Sequence, residues 1–310
     1  MPGLHRDKTH QIRDTLATFS ANVFPLVGVA GDAELQACAE QLVSSMRRVD
    51  YVKGLATKTL HPDRADPASK IFDPLMAAAL ATRQGNYDEA WWLAFLATHF
   101  GKHIDDGWRL TQDFYGAFGT RPAWTWATVS SNVANLYDWL DQQWPGLLND
   151  GVSRRFSNHR KYESKSPTQI KAVLGSYINF VSAFGNHQNL IQDVHRTVGQ
   201  HPHAGFNEFY KRMGAVKRFG RLGTFDFLTM LGKLGIAPIE PGMAYLADAT
   251  GPLKGTKQFV YGDSDANADP AELEEILDKL DGQLQVGKQV LEDALCNWQK
   301  TPDRFVLFRG

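Results

Sequence analysis

Residues 154–166, RRFSNHRKYESKS, combine side chains that can donate, accept, stack and carry charge. Six of these thirteen residues can be positively charged when His159 is counted, and Glu163 is the one acid among them. Such variety suits recognition of a base edge or a sugar better than it suits solubility alone. A solvated, charged loop is the alternative interpretation, and the segment by itself does not decide between the two.

The segment GPLKGTK, residues 251–257, places two glycines four residues apart between stretches with helical character. Gly251 and Gly255 would allow a tight turn, and the N–H groups at the start of the next helix could then bind a phosphate oxygen. Lys254 and Lys257 would add positive charge. The pattern predicts a helix-hairpin-helix motif, although glycine pairs are also frequent in ordinary loops.

The segment EDALCNWQK, residues 292–300, offers two carboxylates on a predicted helix. At helical spacing Asp293 and Asn297 share one face, whereas Glu292 lies about 100° away from them. One carboxylate could therefore border a cavity while the other is solvated. The alternative is a surface helix with ordinary acidic residues.

Residues 96–110, LATHFGKHIDDGWRL, raise the question of a metal site, because His99 and His103 are four residues apart. Asp105 and Asp106 could add oxygen ligands. Two glycines interrupt the segment, which argues against one helix carrying both histidines. The segment therefore favours a polar pocket wall over a metal site, and an ordinary buried histidine is a further alternative. In that wall, Lys102 and Arg109 would lie near a phosphate group of the bound molecule, and Trp108 would stack on a base.

Composition and charge limit the class of protein. The chain has 310 residues, of which 43% are hydrophobic, and it contains no run of eighteen apolar residues and no apolar signal core. Its two cysteines form no spaced metal motif, which suggests a reducing cytoplasm without a disulfide framework. P-loop and Rossmann motifs are absent, so no nucleotide cofactor is expected. Basic islands at 154–171 and 211–221 suit a surface that faces nucleic acid, although solvated helices are the alternative.

Apolar residues recur at helical spacing along most of the chain, which predicts an all-α fold. Helices are predicted over 31–56, 73–103, 129–144, 166–185, 206–235 and 269–300, with a break at Gly85-Asn86 and weak points at Gly282 and Gly287. The best strand candidate is the short terminal segment RFVLFRG, residues 304–310. We expect one catalytic domain, 1–310, with two lobes of approximately 1–150 and 151–310.

Four stretches together resemble a known family: FLATHFGKH followed by GWR, RFSNHRKYES, RFGRLGTFDFLTMLGKLG leading to PGMAYLADATGPLKG, and VLEDALCNWQK. It is the alpha-glutamyl/putrescinyl thymine pyrophosphorylase family, clade 3, which is similar to helix-hairpin-helix DNA glycosylases. Bacterial members include an anti-phage glycosylase that excises alpha-glucosylated 5-hydroxymethylcytosine from viral DNA. The resemblance implies a two-lobed helix-hairpin-helix glycosylase-like architecture and double-stranded DNA with modified bases as the partner.

The resemblance also implies roles for the residues above, in the hydrolysis of the N-glycosidic bond of a flipped base. Asp293 is the first candidate for the catalytic carboxylate, followed by Glu163, Asp105 and Glu292. The residues Asp263, Asp265 and Asp269 are further candidates for the same role. Base or sugar recognition is assigned to His103, Trp108, Asn158, His159, Tyr162 and Asn297. DNA binding is assigned to Lys102, Arg109, Arg160, Lys161, Arg218, Arg221, Gly251, Lys254, Gly255 and Lys257. Lys257 could instead form a Schiff base, but a phosphate contact is favoured because a nucleophilic lysine needs a depressed pKa.

The leading hypothesis is therefore an anti-phage DNA glycosylase that leaves an abasic site, working as a cytoplasmic monomer without cofactor or metal. The family name also allows a transferase or pyrophosphorylase that acts on modified thymine in DNA. A non-catalytic binder of modified DNA is the third hypothesis.

Overall fold

A computed structural model describes residues 4–161 and 163–307 of the chain. Within these residues helices dominate and no β-strand forms, apart from an isolated bridge between His103 and Gly107. The predicted all-α class is therefore confirmed. In the same part of the chain, no helix has the length and apolar character needed to cross a membrane.

Fifteen α-helices follow one another along the described residues: α1 (Leu4–Asn22), α2 (Asp32–Leu55), α3 (Pro74–Arg83), α4 (Tyr87–Phe100), α5 (Arg109–Tyr115), α6 (Trp126–Ser131), α7 (Val133–Gln142), α8 (Trp144–Leu147), α9 (Pro167–Ser182), α10 (His187–Val198), α11 (Pro202–Arg212), α12 (Arg221–Lys233), α13 (Gly251–Tyr261), α14 (Pro270–Leu284) and α15 (Lys288–Trp298). Short 3₁₀ turns lie at Val27–Val29, Pro62–Arg64, Ala117–Gly119, Asn158–Arg160, Met213–Ala215 and Leu246–Asp248.

The chain divides into two compact units. The first contains the described residues up to Tyr51 and those from Pro241 onward, and the second runs from Val52 to Glu240. The predicted lobe boundary near residue 150 therefore falls inside the second unit. The idea that the whole chain is one catalytic domain stays a prediction.

Several helix boundaries follow from local sequence signals. Asp73 caps α3 by accepting backbone N–H groups of its first turn, and Gly85, with φ of +75°, separates α3 from α4 as predicted. Ser166 caps α9, and Pro167 is the first residue of that helix. Both caps satisfy donors that would otherwise be unpaired at a helix start.

Three predictions about elements are wrong. The long helix over 206–235 is divided into α11 and α12, because the chain between them turns through left-handed Arg218 (φ 57°) and buries Phe219. The helix over 129–144 is divided because extended Asn132 caps α7. In RFVLFRG the described residues form no strand, and residues 308–310 lie outside the described part of the chain.

The two units have different cores. In the first, aliphatic side chains such as Leu16, Leu42 and Leu277 pack together. The second is centred on α4, in which every side chain from Glu89 to Phe100 is buried. Aromatic rings surround this helix, so the segment that follows α4 starts from a fixed position.

Candidate functional site

A cleft of about 600 Å³ opens in the second unit beside residues 154–165. Its volume lies within the range of about 300–1,000 Å³ that is typical of ligand pockets. The lining side chains are His103, Ile104, Arg155, Phe156, Asn158, Lys161, Glu163 and Lys165. Two stretches that are distant in sequence thus meet at one site, and they bring together the predicted residues His103, Asn158, Lys161 and Glu163.

The start of the 154–165 segment is held by buried contacts. Arg154 is 6% exposed and donates to Asp113 (2.5 Å) and, with two nitrogens, to Asp150 (2.7 and 2.8 Å). Phe156 packs on Phe100 of α4, with ring centroids 5.7 Å apart. These contacts fix the backbone of the segment, so the side chains after it project from a rigid base.

A tight turn, residues 103–107, forms one rim of the cleft. His103 and Gly107 exchange backbone hydrogen bonds of 3.0 and 2.9 Å. Nδ1 of His103 accepts the backbone N–H groups of Asp105 (3.1 Å) and Asp106 (3.3 Å). Because Nδ1 is an acceptor, we assign the ring proton to Nε2, which makes His103 a hydrogen-bond donor at the cleft.

An ion pair joins this turn to the 154–165 segment. Arg155 donates to both oxygens of Asp106, each at 2.9 Å, and these bonds hold the pKa of Asp106 well below its ordinary range. Arg155 also pairs with Asp105 at 2.9 Å, whose side chain is 65% exposed. Asp105, a predicted catalytic carboxylate, is therefore a partner of Arg155 and is not among the side chains that line the cleft.

Glu163 is the only carboxylate among the described side chains that line the cleft. Its side chain is 17% exposed, and Oε2 lies 3.5 Å from Nε of Arg218. Three cationic side chains, Arg155, Lys161 and Lys165, line the same cleft. Cationic side chains in a cleft attract an anionic molecule, and a carboxylate in the same lining can act as a base or stabilise positive charge there.

Arg160, predicted to bind DNA, is instead buried beneath the surface of this region. Its Nε donates to the carbonyl of Thr98 (3.1 Å), and its Nη2 lies 3.6 Å from Asp226. Burial lowers the pKa of Arg160. Nearby His99 is 3% exposed, and burial together with the charges of Arg160 and Arg218 lowers the pKa of His99 to about 3.

A metal site formed by His99 and His103 would require both residues to lie on one helix, and the helix ends before His103. α4 ends at Phe100, and Gly101 has a φ of +70°, so the two histidines do not share a helix face. Among the residues that the structure describes, no group of three or more His, Cys, Asp or Glu side chains could hold a metal ion.

The other predicted residues of the second unit lie outside the cleft lining. Nε1 of Trp108 donates to Asp73 (3.0 Å), and the ammonium of Lys102 lies 5.8 Å from the Trp108 ring. Arg109 and His159 are exposed, while Arg221 lies over Phe225 at 4.7 Å. Tyr162 is outside the described residues.

The predicted carboxylates of α15 belong to the first unit. Asp293 accepts a hydrogen bond from Arg48 (2.5 Å) through one oxygen and from Asn297 (3.0 Å) through the other. Its side chain is 31% exposed, whereas Glu292 is 7% exposed. Asp293 and Asn297 share a face as predicted, and Glu292 is the more buried of the two acids.

The predicted hairpin at 251–257 is wrong, because these residues form the first turns of α13. The glycines serve close packing of α13 on α15. A Cβ on Gly251 would lie 2.7 Å from Sγ of Cys296, and one on Gly255 would collide with the carbonyl oxygen of Leu295. Of the two lysines, Lys254 pairs with exposed Asp265 at 3.3 Å, and Lys257 is half-buried.

Sequence reasoning missed four side chains of the cleft: Ile104, Arg155, Phe156 and Lys165. Three of them lie within the charged stretch 154–166, so its composition could have suggested them. Ile104 had no comparable signal, because a single isoleucine beside two aspartates does not indicate a site.

Comparison with known proteins gives a family match. No curated protein and no solved structure matches the chain significantly. A family model, alpha-glutamyl/putrescinyl thymine pyrophosphorylase clade 3, matches residues 33–310 and so covers most of the chain, including every lining residue of the cleft. The chain therefore belongs to the alpha-glutamyl/putrescinyl thymine pyrophosphorylase family, clade 3, whose members are enzymes that act on modified bases in DNA.

Proposed function

We propose that the protein is a DNA glycosylase that hydrolyses the N-glycosidic bond of a bulky modified base in phage DNA, with Glu163 as its catalytic carboxylate. The base that we favour is alpha-glucosylated 5-hydroxymethylcytosine. The observation that carries the proposal is the position of Glu163, alone among carboxylates in the described lining of a cationic cleft. Membership of a family that acts on DNA supports DNA as the partner.

Glycosidic hydrolysis suits a single carboxylate. As the bond between C1′ and the base nitrogen breaks, positive charge develops on the sugar, and a carboxylate nearby stabilises it. A water molecule then forms the new bond to C1′ and gives its proton to Glu163. The leaving base takes its proton from solvent water, while Nε2–H of His103 can donate a hydrogen bond that stabilises the negative charge developing on the base.

The dimensions and charge of the cleft suit a flipped nucleotide. A volume of about 600 Å³ can hold a base with an attached sugar. Asn158 can donate and accept hydrogen bonds to a base edge or to hydroxyl groups, and Lys161 and Lys165 suit the flanking phosphates. Asp293 is less suited to catalysis, because both of its oxygens already accept hydrogen bonds from Arg48 and Asn297.

The direct test incubates purified protein with phage DNA that carries the modified base and with the same DNA lacking the modification. We expect abasic sites, detected with an aldehyde-reactive probe, in the modified DNA alone. Glu163→Gln is the matched control and should leave the DNA intact. Intact modified DNA after incubation with active wild-type protein would contradict the proposal.

A second function is favoured by the family name, which describes pyrophosphorylases of modified thymine. Such an enzyme would alter the base covalently and preserve its bond to the sugar. Mass spectrometry of nucleosides released from treated DNA separates the two functions. A free modified base supports the glycosylase, whereas a nucleoside of changed mass supports the transferase.

A further inference from the structure

An exposed isoleucine stands at the rim of the cleft. The side chain of Ile104 is 59% exposed and belongs to the cleft lining. It is the most exposed of the large hydrophobic residues that the structure describes. Contact with a bound partner would remove this apolar surface from water, which is favourable.

The turn that carries Ile104 is rigid. His103 and Gly107 close it with two backbone hydrogen bonds, and Nδ1 of His103 accepts two further N–H groups from inside the turn. Arg155 then clamps Asp106 to the next segment with two bonds of 2.9 Å. Ile104 is therefore presented outward on a braced projection, which is the arrangement needed for inserting a side chain into a stack.

The charges around Ile104 indicate the kind of surface that it meets. The cleft beside it has the cations Arg155, Lys161 and Lys165 in its lining, and Lys102 lies two residues before it in the chain. Asp105 and Asp106 follow Ile104 in the turn and pair with Arg155, so the cationic side chains beside the cleft beyond that pair are Lys161 and Lys165. An apolar tip next to these lysines fits the base stack of a nucleic acid duplex, whose phosphates flank an apolar interior.

We propose that Ile104 is the wedge that enters the base stack of double-stranded DNA and occupies the space left by the base that turns into the cleft. This inference rests on the proposed function, since it concerns the same cleft. Apolar side chains inserted between base steps unstack them and bend the duplex. The wedge matters only for a duplex, because in a single strand the base is already accessible.

The experiment uses an oligonucleotide with one alpha-glucosylated 5-hydroxymethylcytosine and 2-aminopurine as its 3′ neighbour, as a duplex and as a single strand. With wild-type protein we expect 2-aminopurine fluorescence to rise on binding to the duplex. Ile104→Ala should reduce that rise and slow excision from the duplex by about tenfold or more, with little change on the single strand. Ile104→Leu should restore both readouts.

Ile71→Ala is the matched control, because Ile71 is 39% exposed and is not among the residues lining the cleft. The wedge proposal would be overturned if Ile104→Ala matched wild type both in excision from the duplex and in the fluorescence rise. It would also be overturned if wild-type protein produced no fluorescence rise. If fluorescence rises in an Ile104-dependent way but no base is released, the wedge stands and the glycosylase proposal fails.

Discussion

Glu163 and Asp293 are both carboxylates of the predicted site, but they occupy regions of different construction. Glu163 follows a 3₁₀ turn in an irregular segment, lines a cleft and has Arg218 3.5 Å from one of its carboxylate oxygens. Asp293 lies on the regular helix α15, and both of its oxygens accept hydrogen bonds from neighbouring side chains.

The difference teaches how helical spacing misleads about function. Spacing shows which residues share a face of α15, but it does not show what that face contacts. Here the face contacts another side chain of the protein, Arg48. An irregular segment held by buried anchors can aim several side chains at one point instead. The following predictions test whether chemistry belongs to the 154–165 segment and stability to the α13–α15 region.

The largest effect is expected from Glu163→Gln. Removing a catalytic carboxylate should lower the excision rate by about 10²–10⁴-fold, while the fold and DNA binding are retained. Asp293→Asn is the comparison, since it weakens one half-exposed ion pair and should cost up to about 1 kcal/mol of stability. Single-turnover excision and urea unfolding measure the two quantities.

The reverse result, with Asp293→Asn inactive and Glu163→Gln active, would move the chemistry to α15. Circular dichroism of both variants checks that a loss of activity does not reflect unfolding.

The next effect concerns the packing of α13 on α15. Gly255→Ala should destabilise the protein by about 1–3 kcal/mol, because the new methyl group has no space beside the carbonyl of Leu295. Gly282→Ala in α14 is the control, since a Cβ there meets nothing within 4 Å, and it should stabilise by about 0.5–1 kcal/mol. Urea unfolding is the measurement, and equal stability of the two variants would refute close packing.

A third prediction concerns acid stability near the cleft. His99 stays neutral in the folded state because burial lowers its pKa to about 3, whereas the unfolded chain takes up a proton near pH 6.5. The contribution of His99 to the free energy of unfolding is thus fully present above a pH of about 6.5. It falls toward pH 3 by up to about 1.4 kcal/mol per pH unit. His99→Phe should remove that contribution from the pH dependence of urea unfolding.

His187 is also buried with a lowered pKa, so the informative quantity is the difference in slope between wild type and His99→Phe. An unchanged slope would mean that His99 is not neutral and buried in the folded protein.

The smallest effect separates two lysines. Lys161→Gln at the cleft should weaken DNA binding at every sequence and reduce the slope of log affinity against log salt by about 1. Lys254→Gln should leave the slope unchanged, because that lysine pairs with Asp265 in the first unit. Fluorescence anisotropy at several salt concentrations measures both, and equal changes would place DNA on both regions.

The sequence by itself determined the all-α class, the break at Gly85, the cap at Ser166 and the shared face of Asp293 and Asn297. These features depend on side chains within about four residues of one another, so local periodicity and capping encode them. The family resemblance was likewise carried by contiguous stretches of sequence and was confirmed over residues 33–310.

Only the tertiary structure decided which of these residues meet. The cleft joins the turn at His103 to the segment around Glu163, which depends on an ion pair and on packing between residues far apart in sequence. The same holds for Gly251 and Gly255, whose need for glycine comes from α15 and not from a turn. Long-range packing also placed Ile104 beside the cleft, where no local pattern could have indicated it.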